Sequence, residues 1–462
     1  MSSLVKIGTR IYNTVMQRTL TKDTVSKIGE EVKLAGWVQT VRAHGKIAFL
    51  DLRDRSGTIQ IGAFEPDQVK NVSALSQQDA IEVVGTVKRR EEKYVNPNVP
   101  LGTVEIEAGK VTIIAKAEGM PFDMGGKDLV LELPTLLDHR SLTLKHPKIQ
   151  KIFKVQAALA SEFRIAAEAL GCAEIFVPTI AAGATEGGAE VFKVDYYGKE
   201  AFLTQSPQLY KQIMVGVFER VYTIAKAYRA EPSVTTRHLA EATQMDIEIG
   251  FIEGFEELLD ALEFVGSSMV KNVSEKHADI LKEFRAEMPL VPTKIPRLTL
   301  REAQEIVSKR TGRDLSKELD LNPEDEKDIC LWAREQHKSD LVTITHFPTK
   351  KRAFYTMPDP SDPQHSLSYD LLFRGLEILS GSQRIHDVAQ LIARMKEKGV
   401  DPKSFGMYLM AFRYGMPPEG GFSFGLERLT MKLLELQNVR EASLFPRDME
   451  RVDERISPNQ DK

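Results

Sequence analysis

The chain reads as an α+β protein, with a small closed β-barrel followed by a larger domain built on an antiparallel sheet flanked by helices. Three observations predict this. Residues 30–116 hold about five short apolar–polar runs separated by turn residues, in under 90 positions. Residues 221–251 read as a strand, a polar loop and a returning strand. Apolar residues recur at three- and four-residue spacing over 147–170 and again over 426–436, marking helices beside the strands.

Composition bounds the rest. The 462 residues are enough for two or three domains, and 42% hydrophobic with 28% charged is ordinary for a soluble globular protein. A net charge of -4 argues against overall electrostatic capture of nucleic acid but leaves room for a local basic patch. The two cysteines, Cys172 and Cys330, fit neither a zinc spacing nor a disulfide framework, which points to a reducing, cytoplasmic setting. No apolar run approaches the roughly 20 residues of a membrane span. Residues 1–20 read as an N-terminal extension and 456–462 as a tail.

Within 21–116 the runs 31–38, 46–53, 58–64, 80–87, 102–108 and 111–114 predict a barrel of the oligonucleotide-binding type. Arg42, His44, Lys46, Phe49 and Arg53 cluster on its second and third strands, where such barrels grip single-stranded nucleic acid. Arg42 and Phe49 are the candidates for that contact. Residues 117–146, rich in Pro and Gly, read as a connector. The catalytic domain is expected over 147–455.

That domain opens with a helix over 147–170, with Pro147 suited to its first turn, and a strand over 173–179. Together they offer either a dimer contact or ordinary intrachain packing. The small residues around Glu186 (183–188) permit close backbone approach to its carboxylate. Ser206 and Pro207 start a helix that places Gln208 and Lys211 on one face, near an N-terminus that favours anions.

The hairpin 221–251 carries Arg229, Glu231, Arg237 and His238 around its polar loop, with Asp246 and Glu248 on the returning strand. Charges on one face of strands that also have an apolar face suggest a lined cleft rather than a solvated salt-bridge surface. Residues 254–340 read as an inserted, charged helical region without chemistry. Strands are expected at 341–347 and 353–357. In 366–384, Asp370 and Arg374 share a face by period two, and Glu377 joins them if Gly375 forms a bulge. Asp370 and Glu377 could then converge on magnesium, which prefers oxygen ligands with a phosphate partner. Ser380 and Arg384 follow. Finally, 417–428 is a glycine-rich strand–helix junction that puts Arg428 in a first helical turn and lets a flat ligand approach Gly420, Gly421 and Gly425.

Three arginines, one lysine and several carboxylates, with no Ser-His-Asp set, suit chemistry that positions and neutralises phosphate. At this point the chain resembles class II aminoacyl-tRNA synthetases of the aspartyl/asparaginyl subgroup, most closely the archaeal-type aspartyl enzymes. Three class signatures match in order. They are 147–178, then Arg229-Ala-Glu231 with 235–239, then Gly425-Leu-Glu-Arg428 followed by Asn438-Val-Arg440 and Phe445-Pro-Arg447.

The resemblance implies ATP-dependent activation of L-aspartate and transfer to tRNA by a homodimer. It implies Arg229, Glu377 and Arg428 as catalytic residues. ATP contacts are implied for Glu231, Arg237, His238, Leu239, Gly425, Leu426 and Glu427 as well. Magnesium ligation is implied for Glu377, Ser380 and Asp370. Aspartate contacts are implied for Glu186, Gln208, Lys211, Arg229, Ser380 and Arg384, with Lys211 and Arg384 meeting the side-chain carboxylate. Two departures stand out. Glu419 replaces the family's usual histidine, and Ser423 with Phe424 interrupts the usual glycine alternation; either could alter the adenine pocket. Asparaginyl activation, or a catalytically silent tRNA-binding role, are the competing readings.

Overall fold

The computed structural model describes residues 16–95, 101–183, 190–232 and 235–453. The chain forms two compact units, Met1–Leu131 and Glu132–Lys462.

In the first unit five strands close a barrel in the order β1-β2-β3-β5-β4. They are β1 (Glu31–His44), β2 (Ile47–Arg53), β3 (Thr58–Ala63), β4 (Ala80–Arg89) and β5 (Val104–Ala115). Alternation fills its interior: Leu34, Leu50, Leu52, Ile59, Ile61, Ile81, Val83 and Ile106 are all buried, because successive strand residues face opposite sides. The strand expected at 102–108 and the one at 111–114 are a single strand. Its register against β4 shifts between Val84 and Gly85, where a Cβ on Gly85 would strike the Glu107 carbonyl. A helix not foreseen from sequence, Pro66–Ser73, follows β3.

The second unit holds β6 (Ala173–Glu174), β7 (Ile180–Ala181), β8 (Lys193–Tyr196), β9 (Lys199–Leu203), β10 (Arg220–Tyr228), β11 (Glu241–Gly250), β12 (Arg297–Thr299), β13 (Leu341–Thr345), β14 (Ser368–Phe373), β15 (Glu377–Gln383) and β16 (Glu419–Gly425). Eight of these form one sheet in the order β12-β13-β14-β15-β16-β11-β10-β6; β7, β9 and β8 form a small second sheet. The pairs from β13 through β10 are antiparallel, and only the two edge pairs are parallel.

Helices Pro147–Ala169 and Phe255–Lys276 support the sheet. Phe163 of the first meets Tyr222 and Phe424 edge-on at 6.0 and 6.5 Å. Gly266 of the second brings its backbone close to Leu371 and Phe424.

Several sequence expectations change. The strand expected at 173–179 pairs only over Ala173–Glu174. Residues 353–357 make an isolated bridge, Thr356 with Arg384, rather than a strand. Region 254–340 is not only surface helix, since β12 belongs to the sheet. Short helices Leu133–Asp138 and Arg140–Thr143 occupy the end of the stretch read as a connector.

The largest revision is in 366–384. Gly375 does not form a bulge. Arg374 and Gly375, at φ 49° and 76°, are the two central residues of a hairpin turn closed by paired Phe373 and Leu376 backbones. Two consecutive positive φ values give a turn whose twist suits antiparallel strands. The bulge lies inside the hairpin, where the register shifts between Leu371 and Leu372.

Candidate active site

A cavity of about 400 Å³ opens on the sheet in the second unit. Its floor is an ionic cluster built from four elements. Lys211, 1% exposed on helix Gln208–Phe218, places Nζ 2.9 Å from Asp246 Oδ1 and 3.0 Å from Glu248 Oε2 on β11. Arg384, just past β15, donates from Nε to Glu248 Oε1 at 2.7 Å and from a terminal nitrogen to Gln208 Oε1 at 3.3 Å and the Gly421 carbonyl at 3.0 Å. Ser423 of β16 donates to Asp246 Oδ2 at 2.9 Å.

The alternation of β11 explains the two carboxylates. Met245, Ile247 and Ile249 face the core, so Asp246 and Glu248 share the other face. Burial pushes the Glu248 carboxyl up, but Arg384 and Lys211 more than offset this and hold it down at about 2. Asp246 stays above the usual carboxylate range because burial outweighs Lys211. Burial disfavours the Arg384 cation, yet the Glu248 carboxylate more than restores it.

The mouth of the cavity gathers the other predicted residues. Arg229, Arg237, His238, Leu239, Gln208, Glu377, Ser380, Gly425, Glu427 and Arg428 line it. Arg428 donates from Nε to the Arg237 carbonyl at 3.3 Å and lies 3.6 Å from Glu377 Oε2, locking the β10–β11 loop to β15. Burial, then the Arg428 charge, lower the His238 imidazole. Its Nδ1 lies 2.6 Å from the Thr235 hydroxyl. Burial and the neighbouring Asp370 raise Glu377.

Other candidates are placed differently. Glu427 gives both carboxylate oxygens to the Thr243 amide, at 3.1 and 2.9 Å, fastening the last helix to β11. Leu426 is 6% exposed and belongs to the core. Glu231 is exposed, and its charge reaches the site through His238. Glu186 lies outside the described residues. Asp370 Oδ2 accepts from Arg352 at 2.7 Å, and Ser380 Oγ accepts from the same guanidinium at 3.1 Å. Asp370 Oδ1 is buried and, among the described residues, without a hydrogen-bond partner. Among the described residues no group of three or more His, Cys, Asp or Glu could by itself hold a metal.

The glycine-rich strand works differently from expectation. A Cβ on Gly421 would collide with the Ile247 carbonyl and the Glu248 carboxylate, and one on Gly420 with Leu258. These glycines admit protein neighbours, whereas Gly425 lines the cavity. Glu419 stands under the floor, where Oε1 accepts from Gln212 at 2.7 Å, rather than beside the Arg428 end of the strand.

Two residues escaped the sequence reading. Arg352, from 353–357's leading edge, stacks 4.0 Å over Phe347 and lines the cavity between Asp370 and Ser380. Glu326, on helix Pro323–His337, pairs with Arg237. Burial, only partly countered by Arg237, pushes it up to about 7. Neither lies in a signature stretch. Arg352 was one of three adjacent basic residues in a turn-like run, and Glu326 one of several charges in a helical region read as surface.

In the described residues no helix is long and apolar enough to cross a membrane. In the barrel, Phe49 meets Phe64 edge-on at 6.0 Å, and Arg42 lies 3.1 Å from Asp51.

Comparison with known proteins accords with both units. The family of class II tRNA synthetases (D, K and N) matches residues 132–449, and the OB-fold nucleic acid binding domain matches 32–114. An aspartate–tRNA(Asp/Asn) ligase of Thermus thermophilus is 41% identical over 436 residues, covering 94% of this chain and 99% of the relative. An aspartate–tRNA(Asp) ligase of Pyrococcus horikoshii is 40% identical, covering 92% and 96%. Among solved structures, an asparaginyl-tRNA synthetase from Pyrococcus horikoshii complexed with asparaginyl-adenylate superposes with a TM-score of 0.85 at 30% identity, covering 94% and 99%. An aspartyl-tRNA synthetase from Entamoeba histolytica gives 0.84 at 29%, covering 97% and 95%. With its signatures, its barrel and its sheet-borne cavity all accounted for, the chain belongs to the class II tRNA synthetases of the D, K and N group.

Proposed function

We infer that this chain is an aspartate–tRNA ligase, activating L-aspartate with ATP and passing the aspartyl group to the 3′ end of tRNA(Asp). The observation that carries the reading is one cavity with two chemistries. A buried lysine and arginine lie at its floor, and Arg229, Arg237 and Arg428 lie at its mouth.

A side-chain carboxylate suits the floor, where Lys211 and Arg384 present an ammonium and a planar fork. Gln208 orients Arg384 and supplies a further polar contact. The substrate α-carboxylate, already ionised, attacks the α-phosphorus. The bond to the bridging oxygen breaks and pyrophosphate leaves with the electron pair, so no general base is needed. Arg229 is assigned to the α-phosphate, and Arg237, His238 and Arg428 to the remaining phosphates and the base. These groups act by position and charge. In the second half-reaction a terminal ribose hydroxyl of tRNA attacks the mixed anhydride and releases AMP.

Magnesium fits the donor set in part. Glu377 and the unpartnered Oδ1 of Asp370 are the acceptors a divalent cation would satisfy, while Arg352 already engages Ser380 and the other Asp370 oxygen. When bound with ATP, such an ion would neutralise phosphate charge. By family likeness the enzyme is assigned to the cytoplasm as a homodimer, which sedimentation at graded concentrations tests.

Aspartate-dependent pyrophosphate–ATP exchange tests the central reading. Exchange with aspartate is expected; exchange with asparagine alone would establish the asparaginyl alternative. R229A should abolish exchange while leaving the fold intact, and near wild-type exchange would remove Arg229 from its role. Charging of purified tRNA(Asp) and tRNA(Asn) then defines the tRNA range.

A further inference from the structure

Beneath the amino-acid pocket lies a carboxyl group that the chemistry above does not use. Glu419 opens β16 and is fully buried. Its Oε1 accepts from Gln212 Nε2 at 2.7 Å, and Gln212 in turn accepts from the Tyr408 hydroxyl at 3.1 Å. Among the described residues no donor from another residue reaches its Oε2. What lies within hydrogen-bonding reach of this carboxyl is the Glu248 carboxylate.

Two buried carboxyls in such contact share a proton, because two like charges at that separation cannot both ionise. The partners decide which of the two keeps it. Glu248 already receives Arg384 and Lys211 and is the ionised member. Among the described residues Glu419 has no salt-bridge partner: besides Glu248 it meets the neutral Gln212 amide, with Tyr408, Tyr355 and Arg384 around it.

Charge arithmetic points the same way. The floor holds two cations, Lys211 and Arg384, and three carboxyls, Asp246, Glu248 and Glu419. With all three ionised the floor is net negative and opposes an incoming carboxylate. With one proton retained it is neutral.

We propose that Glu419 is a neutral, proton-donating positioning residue for the aspartate pocket. Its carboxyl O–H donates to Glu248, fixes that carboxylate against Arg384 and Lys211, and keeps the floor from carrying an excess negative charge. This rests on the reading of the cavity as an aspartate site, and it deepens that reading by naming what lets an anionic side chain enter.

The test compares wild type, E419A and E419Q in aspartate-dependent pyrophosphate–ATP exchange, with KM measured separately for aspartate and ATP. E419A removes the Glu419 donor from Glu248, so KM for aspartate should rise about tenfold or more while KM for ATP stays within about twofold. E419Q keeps a donor of the same shape and should recover most of the loss. Difference infrared spectra of wild type against E419Q should show a protonated-carboxyl carbonyl band that only wild type has.

The proposal is overturned if E419Q is as impaired as E419A, if E419A leaves the aspartate KM unchanged, or if the carbonyl band is missing. Absence of aspartate-dependent exchange in the wild type itself would instead overturn the aspartate reading beneath it.

Discussion

Lys211, assigned above to the substrate side chain, is also the counter-ion of two buried carboxylates. K211M would leave Asp246 and Glu248 facing each other without their ammonium. Removing one partner of a buried ion pair costs about 3–5 kcal/mol, and urea unfolding of K211M should show a loss of that order alongside lost exchange. Unchanged stability would mean that the cluster does not hold the fold. Glu326 is a second residue whose charge state matters. Its folded-state carboxyl sits up at about 7, above an unfolded value near 4.5. The native protein therefore binds an extra proton between these pH values, and stability falls as pH rises through that window. E326Q lacks this titration, so its urea midpoint should change less between pH 5 and pH 8 than that of wild type. Equal slopes would refute the assignment.

At the scale of elements, the hairpin β14–β15 carries Asp370, Glu377 and Ser380 at positions set by a two-residue turn. Arg374 holds that turn through Asp340 at 3.0 Å and Glu435 at 3.0 Å. A Cβ on Gly375 would lie 2.8 Å from Lys327 Cγ, and its φ of 76° already favours glycine. G375A should cost about 1 kcal/mol or more and raise KM for ATP by shifting Glu377, with a smaller effect on KM for aspartate. Equal changes in both would show that the turn does not act through Glu377. The same stretch shows why local reading failed. Period-two counting treated 366–384 as one strand, whereas positive φ at two successive residues reversed the chain and turned a presumed bulge into a hairpin.

Across the whole molecule, every residue lining the cavity comes from Glu132–Lys462, while Phe49 and Arg42 lie in the barrel unit. Activation and tRNA recognition should therefore separate by mutation. F49A is expected to weaken tRNA charging about tenfold, as loss of one stacking platform of about 1–3 kcal/mol would, and to leave pyrophosphate exchange intact. Equal loss of both activities would mean that the barrel serves more than tRNA.

The strand alternation, the helix stripes and the three signature stretches were legible because each rests on local periodicity or on residues a few positions apart. They were enough to locate the barrel, the central hairpin and the residues Arg229, Lys211, Glu377, Arg384 and Arg428 that meet in one cavity. What only the tertiary structure decided is who partners whom. Asp246 and Glu248 looked like companions of Arg229 in sequence, yet β11 carries them down to Lys211 and Arg384. Glu419 looked like a change to the adenine pocket, yet β16 runs antiparallel to β11 and pairs Glu419 with Gly250, at the Glu248 end of the strand. Arg352 and Glu326 had no motif to announce them. Electrostatic partnership depends on through-space distance and on burial, and neither is written in the spacing of residues along the chain.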